Sequence, residues 1–456
     1  MTELQQLAQF VANTTFARLP PDVVSRAQAV ARDTAGVIIG GMAEPEVTAL
    51  ADHAVVTAPG KARLLGHGGC VTAARAALVH GTAGTTLEMD EGHAHARGHA
   101  AIHALPVALA LAQEHAASGA EALTAFVVGY EVAARAGVAT QLRAAIHPFG
   151  AWGVLGAAAT AAWFKRFDAR AVVGALELAA AYAITPSFDA ALQGANGRNT
   201  YAGLVNRLGM LAADLYDLGF RGQRGALQTT FGEILGRRFE PAALADGLLD
   251  GRAQRYEIMR GYFKPYSACR YTHAAVDAAL ALRAEGLDAR QVRAVEVETY
   301  DMAARLAEPA PATPLAARFS TPYVVAVTLL CGDAGPRSFR PPVLHDAAVL
   351  DLARRVTVRE APEFTAMTPA RRPARVRLHM ADGSQREATV TASKGDPDRP
   401  MSAQELREKF EGLVRPVVGA EATDLAWEKL GRLSGLQRLD ELMTLLAPVA
   451  QKPGSQ

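Results

Sequence analysis

Histidines gather in one short stretch of this chain. Residues 87–103 read LEMDEGHAHARGHAAIH and hold Glu88, Asp90, Glu91, His93, His95, Arg97, His99 and His103. Three readings fit that composition. His93 and His95 can ligate a metal with Asp90 and His99 completing the set, which would make a metal-dependent hydrolase built on His93, His95 and His99. Their spacing is not specific, and no HExxH helix accompanies them. Asp90 and His99 can instead act as acid/base and carboxylate-binding groups, each tuning the other's proton affinity. Or the segment is a solvated loop whose polar residues cap the neighbouring helices.

Four further places carry groups of the same chemistry. His147 stands in AAIHPFGAWG, where Pro148 biases it toward an extended conformation just before a helix start, a position that favours anions. Arg198 lies in GANGRNTYAG, which lacks the GK[ST] of a phosphate loop; its guanidinium can clamp a carboxylate through two hydrogen bonds. KPYSACRYTH packs Lys264, Tyr266, Arg270, Tyr271 and His273 into ten residues. It falls where two domains should meet, a preferred place for ligands. Tyr323 follows Ser320 and Pro322 at a helix start, either as core or with its hydroxyl in the site. Each also has a plain reading: a capping histidine, a turn arginine, a solvated linker.

The elements that must position these groups follow from periodicity. Leu4 to Val11 and Asp22 to Ile39 have apolar residues at helical spacing; Pro20 and Pro21 mark the second helix's start and Gly40-Gly41 its end. Ala100 to Ala112 is apolar nearly all round, and Gly153 to Ala162 is rich in small residues, so both read as interior helices. Near residue 290 the texture changes. VRAVEVETY (292–300), RVTVR (355–359), Val376-Leu378-Met380 and ATVTA (388–392) alternate as strands, with Asp382-Gly383 a hairpin turn. Helical patterns interleave at 272–283 and 321–330. Ser402 and Glu405 form a capping-box signature. The expected architecture is mainly α: a helical domain over 1–267, completed by 397–456, and a smaller α+β lid over 268–396.

Composition limits function. The chain has 456 residues, half of them hydrophobic, with 20% charged and a net charge of +1. No global basic field would hold nucleic acid or a membrane surface. Phe149 to Phe164, the most apolar stretch, is too short to span a bilayer. Cys70, Cys269 and Cys331 fit neither a zinc ribbon nor a CxxC pair and read as reduced thiols of a cytoplasmic protein. The N-terminus lacks a signal-peptide pattern, and the closing QKPGSQ reads as a frayed tail.

Taken in order, these motifs resemble the MmgE/PrpD family over most of the chain. ARDTAGVIIGG (31–41), HGTAGTTLEMDEGH with His99 and Pro106, GYEVAARAG (129–137), the His147 segment, GRNTYAG, LGF (218–220), KPYSACRYTH, RFSTPY and ELREKF (405–410) follow the family order, KPYSACRYTH being the most specific. The resemblance implies a homodimer of a helical domain and an α+β lid, with the active site between them and no metal or organic cofactor. It implies dehydration, decarboxylation or epimerisation of a small di- or tricarboxylic acid. It carries catalytic roles onto Asp90, His99, His147, Lys264, His273 and Tyr323, with Lys264, Arg198 and Arg270 as cationic donors toward substrate. Two positions depart. Asp90-Glu91 stands where the family commonly has Asp-Asp, and Arg198-Asn199 where it commonly has Lys-Arg. An arginine keeps its proton, so Arg198 can bind a carboxylate but not shuttle a proton. A non-catalytic carboxylate-binding protein of the same fold is the remaining alternative.

Overall fold

The computed structural model describes residues 1–447; the QKPGSQ tail lies outside the described residues. Apolar burial sorts the chain into two main cores. One draws on residues from Leu7 to Phe263 and again from Met401 to Leu446. The other draws on residues between Ala268 and Leu378. The architecture is mainly α, with the second core forming a smaller α+β unit.

Helices packed on helices make the first core. Gly119–Ala139 starts at a capping box, in which Ser118 and Glu121 satisfy each other's backbone N–H groups. This helix is apolar and long enough to cross a membrane by length and composition, yet nearly all of it is buried among its neighbours. Apolar residues on every side suit the centre of a bundle. Gly153–Phe164 packs against it and against Tyr201–Asp217. Near the C-terminus, Ala403–Val418 starts at the Ser402–Glu405 capping box and returns to pack on Pro21–Met42.

The Pro21–Met42 helix corrects one expectation. Gly40 and Gly41 do not end it; they lie inside it. A Cβ on Gly41 would stand 1.9 Å from the Ala83 carbonyl oxygen. The pair is there for close helix approach, not termination.

The second unit holds a four-stranded mixed sheet in the order Val356–Glu360, Val292–Thr299, Ala374–Met380, Gln385–Val390. The first two run parallel and the other neighbours antiparallel, with Val297 opposite Val376 and Val295 opposite Leu378. The valine face is covered by His273–Ala284 and Thr321–Cys331. The opposite face carries cross-strand ion pairs, among them Arg375–Glu298 at 2.7 Å and Arg377–Glu296 at 3.1 Å. Asp382-Gly383 turns the hairpin, with Gly383 at φ 84°.

Gly41→Ala should therefore lower the melting temperature by a few degrees, since overpacking a tight core costs about 1–3 kcal/mol. Gly412→Ala, with nothing within 4 Å of its new Cβ, should leave it unchanged or raise it. Equal effects of the two substitutions in differential scanning fluorimetry would contradict the packing role of Gly41.

Candidate active site

The loop after the Ala73–Thr86 helix brings the histidine-rich segment inward. Gly92–His93 pairs antiparallel with Gly261–Tyr262, Gly92 opposite Tyr262. That short ladder ties the Asp90 loop to the chain leading into KPYSACRYTH. The solvated-loop reading does not hold: Glu88, Asp90, Glu91, His93 and His103 are each at most 2% exposed.

Glu88 is at the centre of the charge arrangement. It adopts a left-handed backbone at φ 54°, a costly conformation for a side chain of its size. One carboxylate oxygen pairs with Arg198, and the other stands 3.3 Å from Lys264 Nζ. Lys264 Nζ also lies 4.0 Å from Asp90 Oδ1. Arg198 donates further to the Thr85 carbonyl at 3.3 Å, and its Nε reaches His147 Nε2 at 3.2 Å. Its guanidinium rests 4.6 Å from the Phe149 ring centre.

His99 Nδ1 lies 2.8 Å from the Glu91 carbonyl oxygen and 2.9 Å from Asp90 Oδ2. The N–H is aimed at the carbonyl, so the Asp90 contact is one of charge more than of an aligned hydrogen bond, and neither Asp90 oxygen has an aligned donor. Burial alone would raise the Asp90 carboxyl. His99, Lys264 and Arg198 outweigh it and hold it at about 2. His99 also lines a cavity together with Glu88 and Arg198.

His147 accepts from the Phe149 N–H at Nδ1, 3.3 Å away, as well as from Arg198 at Nε2. A neutral imidazole has one N–H and cannot accept at both nitrogens. Only one of the two contacts can therefore be a full hydrogen bond. Burial, then Arg198, push His147 well below the ordinary histidine value.

These groups surround a cavity of about 40 Å³, lined among others by Glu88, His99, His147, Arg198, Arg270 and Arg372. Arg270 comes from the second unit. It pairs with Asp396 at 2.5 Å and meets His273 Nδ1 at 3.0 Å.

Three sequence assignments land elsewhere. His273 does not line this cavity. Its Nε2 contacts the Ala268 carbonyl at 3.1 Å while Nδ1 faces Arg270, so both nitrogens are engaged and the ring orients Arg270. Tyr323 is buried in the second core, where its hydroxyl donates to the Ser338 carbonyl at 2.7 Å. A tyrosine at a helix start points wherever packing turns that helix, and here it turns inward. Lys264 is fully buried behind Glu88 and Asp90 and is not on the cavity wall.

Glu91 is also turned away. It accepts from the Tyr130 hydroxyl at 2.6 Å, and burial raises its carboxyl to about 7. Sequence reasoning missed Arg372, whose Arg-Arg-Pro surroundings carry no motif, and Lys409, which pairs with Asp33 at 2.6 Å and holds the Met89 carbonyl at 2.8 Å. Lys409 falls within ELREKF, so its segment was flagged but its role was not.

The metal reading fails on ligand geometry. His93 stands against Glu257, Nε2 to Oε2 at 3.1 Å, and takes the Ala96 N–H at Nδ1. His99 is committed to Glu91 and Asp90. Among the described residues, no group of three or more His, Cys, Asp or Glu side chains is placed to hold a metal ion.

The fold and site define a class: a helical domain and an α+β unit enclosing a buried histidine–carboxylate pair and several arginines. Residues 5–236 match the MmgE/PrpD N-terminal domain and residues 266–430 the MmgE/PrpD C-terminal domain. The chain belongs to the MmgE/PrpD family. Among curated proteins it is similar to a cis-aconitate decarboxylase of Aspergillus terreus, 24% identical over 470 residues, covering 97% of this chain and 94% of that protein. A second cis-aconitate decarboxylase, from Aspergillus terreus strain NIH 2624 / FGSC A1156, is also 24% identical, covering 96% and 95%.

The buried histidines set a pH dependence. Burial holds His80 at about 3 and His103 at about 4; burial and then Arg260 hold His95 at about 4. Between their unfolded value near 6.5 and about 4, the unfolded chain binds protons that the folded chain does not, so stability falls as pH falls. Glu91 opposes this, because its raised carboxyl takes up a proton in the fold between about 7 and 4.5. His93, His147 and His273 are lowered in the same sense and the Asp33 and Glu131 carboxyls are raised with Glu91, so six histidines stand against three carboxyls. The melting temperature should be lower at pH 5 than at pH 7, and more steeply so in Glu91→Gln. A higher melting temperature at pH 5 would refute the assignment of neutral buried histidines.

Proposed function

We propose that this protein is a cofactor-free lyase or epimerase that does acid/base chemistry next to a carboxylate of a small di- or tricarboxylic acid. The observation that carries the reading is His99. Its Nδ1 contacts the Glu91 carbonyl and the Asp90 carboxylate, where a proton would make Nε2 the base, and its ring lines a cavity shared with Arg198 and Arg270. A base so placed can take a proton from the carbon beside a bound carboxylate. The C–H electron pair moves into that carboxylate as an enediolate. Arg198 and Arg270 face the charge as it develops, and fixed cations in a water-poor site stabilise it strongly. Asp90 orients His99 and stabilises its protonated form. Lys264 balances Asp90 and Glu88, and His273 positions Arg270.

The same groups serve each outcome. In dehydration, a hydroxyl on the adjacent carbon leaves with a proton. In epimerisation, the proton returns from the opposite face. In decarboxylation, the carbon–carbon bond breaks, carbon dioxide leaves, and protonated His99 supplies the proton to carbon. The names of the Aspergillus relatives make cis-aconitate the first acid to try. The reading includes a homodimer, which light scattering of the purified protein tests directly, and a cytoplasmic location, which fractionation of the producing cell tests.

The experiment is proton NMR in deuterium oxide with cis-aconitate, citrate, 2-methylcitrate and iminodisuccinate formed in situ. Deuterium incorporation, water loss or carbon dioxide loss is expected on one of them. His99→Gln should reduce that rate by about 10²–10⁴-fold in protein that stays folded. A wild-type rate in His99→Gln removes His99 as the base. No change in any of the four acids, with binding retained, favours the carboxylate-binding alternative.

A further inference from the structure

The inner cavity is too small for the acids just named. About 40 Å³ has room for about three water-sized groups, roughly one carboxylate. It adjoins a second cavity of about 330 Å³, and Arg97, Pro148, Phe188, Tyr271 and Arg372 line both. Whatever the inner cavity cannot hold must lie in this outer one.

The outer cavity is built to receive negative charge. Among the described residues, no carboxylate lies within ion-pair distance of Arg97 or Arg372. Arg372 donates to the Ala94 carbonyl at 3.2 Å and to the Tyr262 hydroxyl at 3.4 Å, so its charge is oriented but not neutralised. Arg97 is held in a left-handed backbone at φ 54°, like Glu88. Tyr300, on the same wall, is 3% exposed, and its hydroxyl has no hydrogen-bond partner. A buried hydroxyl without a partner costs free energy unless something supplies one. Burial pushes that hydroxyl far above its usual value, so it remains a donor. Asp301 is the one carboxylate on the wall, and it accepts from the Met302 N–H at 2.7 Å.

We propose that the outer cavity is the second half of the substrate site, with Arg97, Arg372 and the Tyr300 hydroxyl receiving an anionic group beyond the reacting carboxylate. The acid must then carry a further anionic group at its far end, and these three residues select for it. This inference rests on the proposed function, because the inner arginines must bind the reacting carboxylate.

The test is calorimetric binding of two unreactive probes, propane-1,2,3-tricarboxylate and methylsuccinate, the second being the first with one terminal carboxylate removed. Wild-type protein should bind the tricarboxylate at least about tenfold more tightly. Arg372→Gln should weaken the tricarboxylate about tenfold more than it weakens methylsuccinate. Arg372 also links the two units, so Tyr300→Phe keeps the test independent of folding. It removes one oxygen that has no partner, and should narrow the gap between the probes about threefold. Arg198→Gln should weaken both probes alike. Equal losses for both probes in Arg372→Gln, with no narrowing in Tyr300→Phe, overturn the outer site alone. Wild-type protein that binds neither probe, or an Arg198→Gln variant that binds both as wild type does, overturns the proposed function and the outer site with it.

Discussion

The placement of every group in this site depends on one buried carboxylate. Glu88 is held between Arg198 and Lys264 with almost no exposure. Two cations brought this deep would be prohibitive without it, and removing one member of such a set leaves an uncompensated buried charge. The arrangement explains why a left-handed backbone is tolerated at Glu88. Only that turn puts its carboxylate under both cations while the next residues enter the ladder with Gly261–Tyr262. Helix, loop and ladder are locked by one electrostatic requirement, and Asp90 and His99 inherit their positions from it.

The same economy governs protonation. The site holds carboxyls driven in opposite directions within two residues. Asp90 is held low by His99, Lys264 and Arg198, while Glu91 is raised because its burial outweighs Tyr130, Arg26, His99 and a backbone amide together. A second aspartate at position 91 would be a shorter side chain facing the same hydroxyl. The exchange of Asp for Glu there changes the packing behind the site and not the groups that face substrate. Arg198 is different. It does face the cavity, and it keeps its charge whatever the substrate does. In the proposed chemistry it can hold a carboxylate but not shuttle a proton, which leaves proton movement to the histidines.

Much of this was legible in the sequence, and the misses have physical causes. Interior helices such as Ala101–Glu114 and Gly153–Phe164 announce themselves by apolar residues on all sides, because nothing else can surround them. The strands were legible because one face of the sheet is buried and the other is not, so valines alternate with charges. Asp90, His99, His147, Arg198 and Arg270 do converge. Gly40-Gly41 misled because glycine serves both helix ends and close helix contacts, and only the partner helix decides between them. Tyr323 and His273 misled because chemistry-capable residues beside a motif need not point into the site. Arg372 left no trace, since an arginine before a proline is common in loops and its meaning comes from the tyrosines it meets in space.

The division into two units has a chemical logic. The helical domain supplies Asp90, His99 and His147 together with Arg97 and Arg198. The smaller unit, with the segment leading into it, supplies Arg270, Tyr271, Tyr300 and Arg372 to the two cavities. In the proposed chemistry a histidine–carboxylate pair fixed in a packed bundle keeps its geometry, while the anion is met by arginines from both units. The inner cavity has room for about one carboxylate, so in that chemistry the rest of a larger acid lies in the outer cavity, among arginines of both units.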